Sequence, residues 1–136
     1  MAETCKHCIL IAEDDPSIRH LLVHWLGRQG YQACEAANGD EALLSMKSGE
    51  MDLVVLDLMM PGTSGWDVLA ERAKDDSLRK IPVIVISANR GEEVARVLDS
   101  GICALLPKPF DLEALGALVK TCIQHRHETA LAPRVG

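Results

Sequence analysis

Three runs of this chain, Cys8-Ile9-Leu10-Ile11-Ala12, Leu53-Val54-Val55-Leu56 and Val83-Ile84-Val85-Ile86, are apolar without the alternation of a half-exposed strand. A strand with no polar face must be covered on both sides, as the central strands of a parallel sheet between helices are. Two further segments fit the sheet as edges. Tyr31 to Ala36 mixes polar with apolar residues, and Cys103 to Leu106 is short.

Amphipathic stretches separate these runs, so the order is βαβα throughout and the class is α/β. Ile18, Leu21, Leu22, Trp25 and Leu26 recur at helical spacing behind Asp15 as N-cap and Pro16 at the first helical position, with Gly27 and Gly30 near the end. Asn38 with Glu41 three residues on predicts a capping box for a helix through Met46, and Gly49 follows it. Further helices are expected from about Gly65 to Ala73, Gly91 to Leu98 and Asp111 to Ile123, the last with Leu112, Leu115, Val119 and Cys122 on one stripe. Periodicity is lost from His125 to Gly136, so a single domain over 1–136 is expected to have its core at about 8–124 and a frayed tail.

Composition narrows the classes of function. Apolar residues at 48% and charged residues at 25% suit one globular domain, and the apolar runs are far too short for a bilayer crossing. A formal charge of −6 argues against a nucleic-acid surface on this chain. The first residues carry an acid and no apolar stretch, so no targeting signal is seen and a cytoplasmic location is expected. Cys34, Cys103 and Cys122 fall within apolar patterns and are expected as reduced core thiols. Cys5 and Cys8 flank His7 in a Cys-x-x-Cys, but no second pair lies at a spacing that would complete a zinc site.

Ligands of open parallel sheets bind outside the carboxyl ends of the strands. The first strand ends in Glu13-Asp14-Asp15, the third at Asp57 and the fourth at Ser87, while Lys108 follows the fifth. Acids, a hydroxyl and an amine should therefore meet at one end of the sheet. A capping role suits Asp15 better than a metal role. Asp57 follows four consecutive apolar strand residues, where an unpaired buried carboxylate would be costly. It could attack phosphorus as a nucleophile. Glu13 and Asp14 offer hard oxygen ligands for Mg²⁺, and Lys108 and Ser87 offer donors to phosphate oxygens. Without a cation, carboxylates this close would repel one another and raise a pKa among them.

In these residues the chain resembles a response-regulator receiver domain of two-component signalling. Ile9 to Asp15 is similar to that family's first strand and acidic pair, Leu56-Asp57-Leu58-Met59-Met60-Pro61-Gly62 to its phosphoacceptor segment, and Val85-Ile86-Ser87-Ala88 and Lys108-Pro109-Phe110 to the remaining motifs. The resemblance runs from about Cys8 to about Gln124. It implies a flavodoxin-like, doubly wound parallel sheet of five strands in the order 2-1-3-4-5 with five helices, and a cis Lys108–Pro109 peptide. It implies that Asp57 is the phosphoacceptor, and that Glu13, Asp14, Asp57 and the Met59 backbone carbonyl hold Mg²⁺. Ser87 and Lys108 would bind the phosphoryl group, with Ala88 leaving room. The partners implied are a histidine kinase or phosphotransfer protein and a downstream protein or fused effector outside this chain, in a signalling switch rather than an enzyme. No direct contact with nucleic acid or membrane is expected. Three residues before the lysine the family commonly has Tyr or Phe, and here that position is Leu105, which puts the usual aromatic coupling in doubt.

Two rival readings meet particular residues. A haloacid-dehalogenase-type phosphatase needs a second Asp two positions after the nucleophile, where this chain has Met59. An unphosphorylated binding module has no use for the intact set Glu13, Asp14, Asp57, Ser87 and Lys108. His20 and His24 lie one helical turn apart and could mimic a metal pair or a phosphohistidine site, but surface or partly buried structural histidines are the expected reading.

Overall fold

The computed structural model describes residues 7–88, 96–97 and 101–131, of which 125–131 by backbone alone. Five strands, β1 (Cys8–Ala12), β2 (Gln32–Ala36), β3 (Leu53–Asp57), β4 (Val83–Ser87) and β5 (Ala104–Pro107), form one parallel sheet in the order β2-β1-β3-β4-β5. The helices are α1 (Pro16–Arg28), α2 (Gly39–Lys47), α3 (Gly65–Lys74), the single turn α4 (Asp76–Arg79) and α5 (Leu112–Leu131). Of the expected helix at 91–98, Arg96 and Val97 are described and are helical; the rest lies outside the described residues.

The strand pleat sorts the apolar runs into two cores. Ile9, Ile11, Val55 and Ile84 pack on one side with Leu22 and Leu26 of α1 and Leu115, Val119 and Ile123 of α5. Leu10, Val54, Leu56, Val83 and Val85 face the other side, with Ala42 and Met46 of α2, Val68 and Leu69 of α3 and Leu78 of α4. Every residue of β3 and β4 is buried, so the missing alternation does report cover on both faces. At about 1.5–3 kcal/mol for each buried Leu, Ile or Val, these runs dominate the stability that offsets burying acids at their ends.

Local chemistry sets the helix ends. The Asp15 side chain accepts from Ser17 N at 2.9 Å and Ile18 N at 3.4 Å, the capping role expected of it. Gly30 holds a φ of +98° just past the end of α1, a conformation that a Cβ would penalise. Asn38 caps α2 through Glu41 N at 2.9 Å, but Glu41 returns its bond to Ala37 N, so the reciprocal box expected there is shifted by one residue. A true capping box, not anticipated, joins Ser64 and Asp67 at the start of α3.

Three expectations need correction. α5 has helical backbone as far as Leu131, well past Ile123, because an apolar stripe marks where a helix packs and not where it stops. α4 is an additional turn, too short to show a period. Its approach to β4 is fixed by the buried Arg72, which donates to the carbonyl oxygens of Ile81 (2.9 and 3.1 Å) and Arg79 (3.1 Å). Cys103 and Cys122, expected as reduced thiols, form a disulfide between the turn before β5 and α5. Cys103 is exposed, whereas Cys122 is buried, so the apolar context of Cys103 misreported its surroundings. Cys8 and Cys34 are free and half-buried, and Cys5 lies outside the described residues. Among the described residues, no helix is long and apolar enough to cross a membrane.

Candidate functional site

Parallel strands all point their carboxyl ends the same way, and β1, β3, β4 and β5 deliver the predicted residues to that end of the sheet. Glu13 follows β1, and its backbone N donates to Ala36 O of β2 at 3.0 Å. Asp57 is the last residue of β3 and Ser87 the last of β4; Lys108 follows β5, where its N donates to Ser87 O at 2.9 Å. The Lys108–Pro109 peptide is cis, as expected.

The side chains converge. Lys108 Nζ lies 3.3 Å from Asp57 Oδ2 and 3.4 Å from Glu13 Oε1. The other Asp57 oxygen accepts from Met59 N at 3.1 Å, and the other Glu13 oxygen from Asp15 N at 3.2 Å. Asp14 is exposed and forms the outer edge, and ligand oxygens of Glu13, Asp14 and Asp57 all fall within 4.8 Å of one another. Glu13, Asp57 and Ser87 are buried, while the Met59 side chain is turned to solvent. Met59 thus stands, exposed, where the hydrolase reading needs a second acid.

Among the described residues the charges do not balance. Three carboxyls cluster, and the Lys108 ammonium meets two of them, Glu13 and Asp57. Burial, the hydrogen bond with Asp57 and the Asp57 charge push the Glu13 carboxyl up to about 7, against the opposing pull of Asp15 N–H and Lys108. Burial acts to lower the Lys108 pKa, but the charges of Asp57 and Glu13 outweigh it and the net direction is upward. Carboxylates held this close behind a low-dielectric strand end are an attraction for a small hard cation, and their oxygens are the donors such an ion prefers.

Several supporting residues were not read from the sequence. A Cβ on Gly65 would collide with the Asp57 carbonyl oxygen and lie 2.6 Å from Leu58 Cα, so only glycine lets α3 begin this close to the acid. Arg19 of α1 donates to Glu13 O at 2.8 Å and to Glu35 Oε1 at 2.9 Å, steadying the acidic loop. The Ser64–Asp67 spacing was a visible signal for the start of α3; nothing local marks Gly65 or Arg19. His20 and His24 are exposed, and His20 Nε2 lies 3.3 Å from Glu35 Oε1, which suits a surface role. Leu105 is half-buried and packs against the core that holds Val85 and Val97. Ala88, after Ser87, is exposed.

The chain is similar to known proteins in both sequence and shape. ResD, a transcriptional regulatory protein of Bacillus subtilis (strain 168), is 35% identical over 132 residues, covering 96% of this chain and 53% of ResD. PhoB, the phosphate regulon transcriptional regulatory protein of Escherichia coli (strain K12), is 35% identical over 118 residues, 85% of this chain and 51% of PhoB. The chain therefore spans about half the length of these curated relatives. The receiver domain of the Francisella response regulator 1452 superposes with a TM-score of 0.82 at 29% identity, over 88% of this chain and 98% of that one. The family described as the response regulator receiver domain matches residues 9–120, which run from β1 into the first half of α5. Sheet order, strand-end chemistry and sequence agree, and the chain belongs to the response regulator receiver domain family.

Proposed function

We propose that this domain is a switch set by phosphorylation of Asp57. The observation that carries the reading is the excess of negative charge that the described residues set around the Lys108 ammonium, with Asp57 joined to it at 3.3 Å at the end of a buried strand. Glu13, Asp14 and Asp57, with the Met59 backbone carbonyl as a further oxygen donor, would hold a Mg²⁺ ion, which would supply positive charge to phosphate oxygens. The donor set suits that ion, being all oxygen and mutually close.

An Asp57 carboxylate oxygen attacks phosphorus, forming the new P–O bond as the bond to the donor's leaving group breaks. Lys108 then pairs with a phosphoryl oxygen in place of Asp57, and Ser87 donates its hydroxyl to another. The step needs charge neutralised and atoms held in line more than covalent chemistry from the protein. Phosphorylation shifts the domain between two conformations through contacts that differ between them, and the partner-binding face changes in consequence.

The phosphoryl donor is a histidine kinase or a phosphotransfer protein. The output belongs to a downstream protein or a fused effector outside this chain, as the names of the relatives suggest. The site works in the cytoplasm, and its turnover is that of a regulator rather than an enzyme. Incubation with Mg²⁺ and acetyl phosphate should add one phosphoryl group by intact mass, and Asp57→Asn should add none. Equal labelling of the two proteins would remove Asp57 as the acceptor.

A further inference from the structure

The bridge between Cys103 and Cys122 joins two residues in opposite surroundings. Cys103 is exposed in the turn before β5, whereas Cys122 is 1% accessible, in the core beneath α5 with Val119 and Ile123. Their Cα atoms are 6.1 Å apart, a span that disulfides ordinarily bridge. The two positions are 19 residues apart, and the covalent loop they close contains all of β5, Lys108 and the first half of α5. The arm that carries Lys108 is also tied to β4 by the parallel pairing of β5 with β4, flanked by Cys103 N to Val83 O at 2.8 Å and Lys108 N to Ser87 O at 2.9 Å. Lys108 is in turn the group that reaches Glu13 and Asp57. Disulfides are rare in reducing compartments, and those that do form there mostly sense or transfer redox state.

We infer that Cys103 and Cys122 form a reversible thiol–disulfide couple, opened from the Cys103 side by small thiols, and that its state sets how firmly the β5–α5 arm holds Lys108 over the carboxylates. Its effect on phosphorylation rests on the role proposed for Lys108 above; its existence does not. The thiolate of a small thiol attacks Cys103 Sγ, the bridging S–S bond breaks, and its electron pair leaves on Cys122 Sγ, which takes a proton from water. A second thiolate attacks the small thiol's own sulfur in this mixed disulfide, releasing Cys103 as a thiol and the oxidised small thiol as a free disulfide. Two electrons pass from two small thiols to the bridge. Closure is the reverse, with a small-molecule disulfide as oxidant, and the buried Cys122 stays beside Cys103 to complete it. Open, the arm keeps its bonds to β4 but loses the covalent tie to α5, so β5 and α5 can shift relative to each other.

The test equilibrates folded protein in buffers running from oxidised to reduced glutathione, then quenches by alkylation and maps peptides. The linked Cys103–Cys122 peptide should pass from nearly complete to nearly absent across the series. Hydrogen exchange of the amides at 104–111 should quicken by about threefold or more on opening in the wild type. In Cys103→Ser, whose substitution sits at an exposed position and whose Cys8 and Cys34 remain free as controls, exchange should not respond to the buffer. Labelling by acetyl phosphate should slow by about threefold on opening, again in the wild type alone. A linked fraction that never forms or never opens would overturn the couple. Exchange or labelling that responds equally in Cys103→Ser would overturn the link to Lys108, as would exchange unchanged on opening. Absence of label in every redox state refutes the phosphoacceptor reading instead, and peptide linkage with exchange then decides the couple by themselves.

Discussion

Among the described residues charge is buried in two places, and in different ways. Arg72, on α3, is almost wholly buried, and its guanidinium is met by the carbonyl oxygens of Ile81 and Arg79. At the carboxyl end of the sheet, Glu13 and Asp57 are equally buried, but with Asp14 they set three carboxyls against one ammonium. The first arrangement fastens α3 and α4 to the start of β4 through backbone carbonyl oxygens. The second has its hydrogen bonds but not its charge balance, and Glu13 answers by keeping its proton up to about pH 7. One charge buried on carbonyl oxygens ties elements together, whereas the carboxyls at the strand ends are crowded by charge of their own sign.

Opposite responses to mutation would sharpen this contrast. Lys108→Ala should slow labelling by acetyl phosphate by on the order of 100-fold, because a preorganised cation aimed at the transferring group is lost, while the melting temperature moves little. Arg72→Ala should do the reverse. It leaves a cavity and strands the buried Ile81 carbonyl oxygen and the part-buried one of Arg79, so chemical denaturation should show a loss of about 2–4 kcal/mol, with labelling per folded molecule unchanged. If Arg72→Ala cost labelling as heavily as Lys108→Ala did, the two regions would not differ in kind.

Acid should distinguish them as well. Glu13 is protonated in the fold up to about 7 but in the unfolded chain only up to about 4.5, so the fold binds more protons across that interval. Its stabilising contribution is whole below 4.5 and is lost as pH rises through about 7. Free of divalent ions, the protein should lose about 1–3 kcal/mol from this group between pH 4.5 and pH 8, and Glu13→Gln should flatten that slope. Binding of Mg²⁺ must displace the same proton, so affinity measured by calorimetry should rise from pH 6 to pH 8 with proton release, an effect absent in Glu13→Gln. An affinity independent of pH in the wild type would contradict the shared site.

A smaller effect separates neighbours. Asp14 lies in the carboxylate cluster and Asp15 caps α1. Asp14→Ala should therefore weaken Mg²⁺ binding more than Asp15→Ala, and Asp15→Ala should cost about 1 kcal/mol of stability. The reverse order of affinities would undo that division.

The sheet and the site were legible in the sequence for one reason. In a parallel sheet the side chains that meet at its carboxyl edge sit next to their strands in the chain, so Glu13, Asp57, Ser87 and Lys108 could be found at or just past the carboxyl end of each buried run. The Asp15–Pro16 start of α1 was legible because caps act within three residues. What could not be read depends on contacts distant in sequence or on burial that residue type conceals. Arg72 reads as a surface charge until its helix is seen to face Ile81. The need for glycine at Gly65 arises only when α3 meets the end of β3. Cys103 sits in an apolar stretch yet is exposed and paired with Cys122, since spacing alone does not say which face a turn presents. Leu105 was legible as a departure, and its half-buried packing leaves a smaller side chain than an aromatic to relay any movement.

The central claim is that the unbalanced acid Asp57 is where a phosphoryl group is carried, and chemical trapping tests it most directly. Protein labelled with acetyl phosphate and Mg²⁺ is reduced with sodium borohydride, which converts an aspartyl phosphate to homoserine, and the digest is sequenced by mass spectrometry. Homoserine should appear at position 57 and nowhere else, and should be absent when Mg²⁺ is chelated before the phosphodonor is added. Homoserine at Asp14 or Asp15 with position 57 intact, or equal yield without the cation, would contradict the account.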